Sequence, residues 1–160
     1  FPDLATKLGF KAKMILSGRK INNSIPKIVI ERIFHQAKKQ NIKKKDINVL
    51  VLGATFKEDC PDFRNSKTFD IMNTLINMKI KFTFSDPFYS KDKIKKKYHK
   101  YFKEYKFLEK KNFNVILISV GHSFYKTKGF KKIKNFFKKN SIFFDLKSIF
   151  NIKDKKILSL

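Results

Sequence analysis

The rhythm of apolar and polar positions changes once along the chain, near residue 46. Before that point Ile25, Val29 and Ile33 recur every four residues, with Ile28 and Ala37 on adjoining positions. This spacing puts one apolar stripe on a helix running to about Gln40. Ser24 can cap that helix, with Pro26 in its first turn. Such a stripe packs either on its own domain or on a partner helix. Upstream, Asp3 to Phe10 reads as a helix end closed by Gly9, and Met14 to Leu16 as a short apolar piece ending at Gly18. The basic, polar stretch from Lys38 to Asp46 has Ile42 as its one apolar residue, which predicts a helix end and a linker. A domain boundary is expected between residues 45 and 46.

From Ile47 onward, short apolar runs alternate with helical patterns. Ile47 to Leu52 is nearly continuous and apolar between Asp46 and Gly53, as in a strand buried on both faces of a parallel sheet. Ile80 to Phe84, Val115 to Val120 and Ser141 to Phe144 repeat that signal, and Tyr105 to Leu108 is a further strand candidate. After Asn65, Ile71, Met72, Leu75, Ile76 and Met78 share one helical side. A lysine-rich helix is predicted from Ser90 to about Tyr101, and another from Phe130 to Lys138 with Ile133, Phe136 and Phe137 inward. Alternation of this kind implies an α/β, Rossmann-like, doubly wound and mostly parallel sheet with right-handed crossovers.

Composition narrows the picture. At 160 residues the chain holds one domain, or one domain with a helical appendage. No run approaches the ~20 apolar residues of a membrane span, so a soluble, cytoplasmic protein is expected. Cys60 is the single cysteine, which excludes an internal disulfide and a cysteine-based metal cluster; no metal site is expected. The first residue is Phe1, as if the chain began inside a longer protein. The formal net charge of +25 invites a nucleic-acid partner, because a positive field draws polyanions. Yet only Arg19, Arg32 and Arg64 are arginines, the residue that phosphate and base-edge readers favour. Lys, Ile, Phe and Asn make up more than half of the chain, as A- and T-rich codons would dictate, and specific nucleic-acid binding is not expected.

Ligands of open parallel sheets bind beyond the carboxyl ends of the strands. The loops to inspect follow Leu52, Phe84, Val120 and Phe144. The first, Gly53 to Ser66, lacks both the G-x-G-x-x-G fingerprint of a dinucleotide turn and the G-K-[ST] ending of a P-loop. It carries Lys57 and Arg64, and Ser66 can cap the next helix, whose N-terminus favours anions. Lys57 either meets a phosphate or sugar there or pairs with Glu58 or Asp59. Asp86 stands where an acidic residue can grip a ribose hydroxyl, or else makes a turn with Pro87. His122 can act as a donor or base, or bond nearby backbone. Lys147, after Asp145 and Leu146, brings another cation to the same edge. Cys60 precedes a proline with no histidine near in sequence, which suits a structural thiol better than a nucleophile.

The run Gly53-Ala54-Thr55-Phe56-Lys57-Glu58-Asp59-Cys60-Pro61-Asp62-Phe63-Arg64-Asn65-Ser66 resembles the G-x-T-F-K-E-x-C-P-D-x-R-N-[ST] segment of nucleotide-sugar dehydrogenases, the UDP-glucose/GDP-mannose dehydrogenase family. Its C-P-D and R-N details are most similar to the branch that oxidises UDP-N-acetylhexosamines, as in Vi-type capsule synthesis. Met14 to Ser24 resembles the family's M-I-L-A-G-R-x-I-N-D-S, Ser85-Asp86-Pro87 its Y-D-P, and Phe144-Asp145-Leu146-Lys147 its Y-D-L-K. The resemblance spans essentially the whole chain and implies oxidation of a sugar C6 alcohol to a carboxylate with two NAD molecules. It further implies that residues 1–45 end a central helical dimerisation region and that residues 46–160 form a C-terminal UDP-sugar-binding domain. Lys57 and Lys147 then match substrate-binding residues, with Asp86 beside them, and Arg64 matches an arginine that reaches across to NAD. A homodimer on the Ile25 to Gln40 helix is implied. The family's catalytic cysteine and NAD-binding glycines match nothing in this sequence, and Cys60 occupies a different family position, so no catalytic residue is assigned. At Ala54 a small residue replaces the usual Leu or Met. Two alternatives stay open: a basic module that binds nucleic acid or another anionic surface, and a decayed fragment without activity.

Overall fold

The computed structural model describes residues 13–150 and 157–158. Its sheet contains β1 (Asn48–Leu52), β2 (Lys81–Ser85), β3 (Phe113–Ile118), β4 (Phe137–Asp145) and β5 (Ile157–Leu158). All neighbouring strands are parallel, in the order β2-β1-β3-β4-β5. Among the described residues three α-helices, α1 (Lys13–Lys39), α2 (Lys67–Asn77) and α3 (Ser123–Ile133), accompany it.

The two-residue period of a strand explains why these runs are apolar throughout. Val49 and Val51 in β1, Phe82 and Phe84 in β2, Val115 and Leu117 in β3, and Ile142 and Phe144 in β4 belong to one core cluster. Val29, Ile30, Ile33 and Ala37 of α1 and Ile71, Met72 and Leu75 of α2 complete that cluster. The alternate residues, Leu50, Leu52, Ile116, Ile118 and Phe143, form a second cluster with Tyr125 and Ile133 of α3 and with Phe136. Each central strand is therefore covered on both faces, which is the doubly wound α/β arrangement expected from the sequence. Strand order reverses between β1 and β3, so a ligand crevice is expected above those two strands.

Several elements differ from the sequence reading. α1 begins at Lys13 and runs through Pro26, so Ser24 is not its cap and Met14 to Gly18 is not a separate piece. An internal proline removes one helical hydrogen bond. Here Pro26 is itself buried, and the stripe of Val29, Ile30 and Ile33 on the core holds the helix across the gap. Ser90 to Tyr101 is not an α-helix but two 3-10 segments, Lys91–Lys93 and Lys96–Tyr101. Only Ile94 and Tyr98 of this stretch are buried, too few for a continuous stripe to stabilise an α-helix. Tyr105–Phe107 is a 3-10 turn rather than a strand, because Tyr105 packs edge-on against Phe124 and Phe136. α3 starts at Ser123 rather than Phe130 and breaks at Gly129, where φ is 74°. Phe137 belongs to β4 and pairs with Phe113. The expected helix end at Asp3 to Phe10 lies outside the described residues. Among the described residues, no helix is long and apolar enough to cross a membrane.

Candidate functional site

The loops after β1, β3 and β4 meet at one edge of the sheet. Gly53 has φ 89°, and a Cβ built there would lie 2.6 Å from the Val120 Cβ and 2.8 Å from its backbone N. Only a residue without a side chain lets the first loop cross the third at this point. A Cβ on Gly121 would in turn lie 2.5 Å from Ile149 Cγ2 and 3.3 Å from Lys147 Cβ. The backbone N–H of Ser119 donates to Leu52 O at 2.9 Å, and that of Leu146 to Ile118 O at 3.1 Å.

Below this junction α2 begins. Ser66 caps it as expected: its Oγ accepts from the Thr68 N–H at 3.3 Å and donates to Thr55 O at 3.0 Å. The Thr68 and Ser119 hydroxyls share a buried hydrogen bond of 2.6 Å. Between these groups opens a cleft of about 320 Å³ lined by Thr55, Phe56, Ser66, Lys67, Ser119 and Lys147, among others. It sits at the β1/β3 switch point, over a helix N-terminus, with cationic side chains at its rim. That combination suits an anion such as a phosphate.

The expected site residues fall in different places. Lys147 is exposed and lines the cleft. Its loop is folded by buried Asp145, whose Oδ1 accepts from the Lys147 N–H at 3.2 Å and whose Oδ2 accepts from the Phe150 N–H at 2.9 Å. Lys57 is exposed one residue beyond Phe56, which lines the cleft. Among the described residues its ammonium forms no ion pair. Asp59, one of the two partners considered for it, instead holds the start of α3, accepting from the Ser123 N–H at 2.9 Å and from the Ser123 hydroxyl. Those bonds, the hydroxyl first, keep the Asp59 carboxyl below its ordinary range.

Arg64 does not line this cleft. Its guanidinium forks onto Asp62, with Nε to Oδ1 at 3.0 Å and Nη2 to Oδ2 at 2.8 Å. The fork holds the Asp62 carboxyl down to about 2. Asp86 is fully buried. Its Oδ2 accepts from the Ala54 N–H at 2.6 Å and lies 3.1 Å from His122 Nε2, while Oδ1 accepts from the Phe88 N–H at 2.8 Å. Of the two readings of Asp86, the turn with Pro87 is visible in the Phe88 contact. Cys60 is partly buried and free.

His122 is also buried, with its side chain 0% exposed. It bonds backbone, as one reading had it, at the Asp59 N–H 3.0 Å from Nδ1, and it also reaches Thr55 Oγ1 at 3.1 Å. Not foreseen from the sequence are Thr55, the contacts of Asp59 with His122 and Ser123, and the Thr68–Ser119 pair. The one local signal is that Asp59 and Asn65 adopt left-handed φ values of 53° and 57°, a conformation that Asp and Asn tolerate.

Comparison with known proteins gives a consistent set of likenesses. Residues 50–152 match the profile of the UDP-glucose/GDP-mannose dehydrogenase family, UDP binding domain. The UDP-N-acetyl-D-glucosamine 6-dehydrogenase of Salmonella typhi is 29% identical over 142 residues, covering 89% of this chain and 33% of the relative. Its namesake in Pseudomonas aeruginosa is 30% identical over 156 residues, covering 98% and 36%. The native structure of the UDP-N-acetyl-mannosamine dehydrogenase Cap5O from Staphylococcus aureus superposes with a TM-score of 0.66 at 27% identity, over 94% of this chain and 33% of that one. The chain thus spans about a third of the length of the curated relatives it matches.

Proposed function

Because the chain belongs to the UDP-glucose/GDP-mannose dehydrogenase family through its UDP binding domain, we propose that it is the substrate-nucleotide part of a UDP-sugar 6-dehydrogenase. The substrate in this reading is a UDP-N-acetylhexosamine, as the names of the relatives suggest, and the product serves polysaccharide biosynthesis. Conversion of the C6 alcohol to a carboxylate removes four electrons, taken as two hydrides by two NAD molecules, with water supplying the second carboxylate oxygen. The observation that carries the proposal is the cleft at the β1/β3 switch, where Lys147 and the α2 N-terminus meet. Lys57 extends from the adjoining turn, its ammonium in no ion pair among the described residues. In this arrangement Lys57 and Lys147 neutralise the diphosphate, and the exposed face of Phe56 offers an apolar wall beside it.

The turn after β1 carries a single glycine, Gly53, and so lacks the G-x-G-x-x-G fingerprint by which a dinucleotide such as NAD is held at this place. Arg64, exposed on its Asp62 fork, is the residue of this chain that would touch NAD bound elsewhere. Asp86, whose oxygens are held inside the fold, supports the substrate loops from beneath. We place the protein in the cytoplasm as a homodimer through α1, whose Ile28 is 37% exposed; residues 1–45 would then end the dimerisation region and residues 46–160 form the nucleotide domain.

Isothermal titration of the 160-residue chain with UDP tests the reading. Binding should be measurable, and Lys57→Ala should weaken it by ~1.5 to 3 kcal/mol, the value of a hydrogen bond to a charged group. A folded chain that gives no heat with UDP, or a Lys57→Ala chain that binds as well as the parent, would remove the basis for the assignment.

A further inference from the structure

His122 follows β3, has no exposure, and touches the first loop at both ends of the Lys57 turn. The Asp59 N–H, which can only donate, points at Nδ1 from 3.0 Å. Nδ1 is therefore the acceptor, and the ring proton sits on Nε2. From there it faces two oxygens at 3.1 Å, Asp86 Oδ2 and Thr55 Oγ1. The Thr55 hydroxyl, accepting from the ring, is free to donate to Lys57 O at 2.8 Å. One tautomer satisfies every member of this chain, from an amide that only donates to a carbonyl and a carboxylate that only accept.

The consequence for Lys57 is mechanical. Its own carbonyl is tied through Thr55, and the residue two places later is tied through the Asp59 amide, both to the same ring. Asp59 holds φ 53° while its carboxylate grips Ser123 at the start of α3. The backbone of the turn is also anchored by the Phe56 N–H to Asp62 O bond of 2.7 Å and by Thr55 O, which accepts from the Ser66 hydroxyl at 3.0 Å. Asp86 in turn fixes the ring from beneath and is itself pinned by the Ala54 and Phe88 amides. A histidine that merely filled the core would need none of this directionality, and the rings of Phe88 and Tyr125 already pack at 5.2 and 5.8 Å from it.

We propose that His122, held as the Nε2–H tautomer between Asp86, Thr55 and Asp59, is a positioning residue for nucleotide binding that sets the Lys57 turn. The proposal rests on the reading of Lys57 as a UDP contact given above. It makes His122 neither a base nor a ligand contact, since the ring never reaches the surface.

Two variants separate the arms of the brace. His122→Asn keeps an acceptor near Nδ1 for Asp59 and loses the Asp86 and Thr55 contacts; His122→Gln keeps a donor near Nε2 and loses Asp59. Each should weaken UDP binding by about 3- to 10-fold, roughly the net worth of one hydrogen bond. His122→Ala, which keeps neither arm, should be worse than both. In a Lys57→Ala background, His122→Asn should cost no more than about twofold, because the turn it sets no longer carries the ammonium. Full additivity of the two losses would overturn the role, and so would ring nitrogen NMR shifts of the parent chain that report the Nδ1–H tautomer. Should His122→Asn fail to fold, His122→Gln in the same cycle decides. A parent chain that does not bind UDP would sink the functional reading and this role together, whereas a binding parent with unaffected histidine variants would sink this role alone.

Discussion

At the residue scale, the charge of Arg64 is already answered. With a side chain 86% exposed, it forks onto Asp62 and holds that carboxyl down to about 2. A depressed aspartate keeps its ion pair at all pH values above its ordinary pKa and loses it as pH falls through about 2. In Arg64→Ala the Asp62 titration should move up toward the ordinary aspartate value of ~3.9, as read by carboxyl carbon NMR. Thermal stability near neutral pH should hardly change, because water screens both partners. Gly53 offers the opposite case. Gly53→Ala combines a positive φ with contact against Val120, and should cost about 3 kcal/mol in denaturant unfolding, from backbone strain and overpacking together. Gly129 also has a positive φ, of 74°, but open space around it, so Gly129→Ala should cost only about 1 kcal/mol. Lys57, Arg64, Asp86, His122 and Lys147 were all visible in the sequence as charged or titratable residues after strands. What each one touches was not, because the bonds from Asp59 and Thr55 to His122 join residues more than 60 positions apart.

At the element scale, the strands were legible and the helices less so. A strand covered on both faces is apolar without interruption, and little else in a polar chain looks like that. Helix boundaries depend on competition instead. Pro26 and Gly18 argued for two segments, yet burial of the α1 stripe outweighs a missing hydrogen bond, and the helix continues. The lysines from Lys91 to Lys100 have good intrinsic helix propensity, but only Ile94 and Tyr98 reach the core, and the chain settles into 3-10 turns. Gly129 hid the first half of α3, since the pattern resumes only after it. The packing of α1 makes a direct prediction: Ile33, 1% exposed, lies in the same cluster as Val49, Met72 and Leu75. Ile33→Ala should cost ~2 to 5 kcal/mol and shift one cooperative unfolding transition by both near-ultraviolet and far-ultraviolet dichroism. A change confined to a separate, early transition would mean that α1 unfolds apart from the sheet.

At the scale of the whole molecule, the formal net charge of +25 is the feature that a nucleic-acid reading would rest on, and its physical consequences can be separated from those of the cleft. A nonspecific polyanion site gains affinity by releasing counterions, so its binding constant falls steeply with salt in proportion to the phosphates contacted. Such sites also use exposed aromatic rings as stacking platforms. Among the described residues the exposed aromatic side chains are Phe56 and Phe107, and Phe56 already borders the cleft. Other rings are stacked on one another, as Tyr89 on Phe102 and Phe82 on Tyr101. UDP, in contrast, would meet two lysines and a helix N-terminus, a short-range arrangement that salt screens only in part. Raising sodium chloride from about 0.05 to 0.2 M should therefore weaken UDP binding by less than ~10-fold, while any binding to duplex DNA or RNA falls by ~10³-fold or more. Lys57→Ala should abolish most of the first and leave the second nearly untouched, since one lysine among many matters little to a diffuse field. If the two ligands instead lost affinity in parallel with salt, and Lys57→Ala affected neither, the basic surface as a whole would be the binding site and the cleft would be incidental.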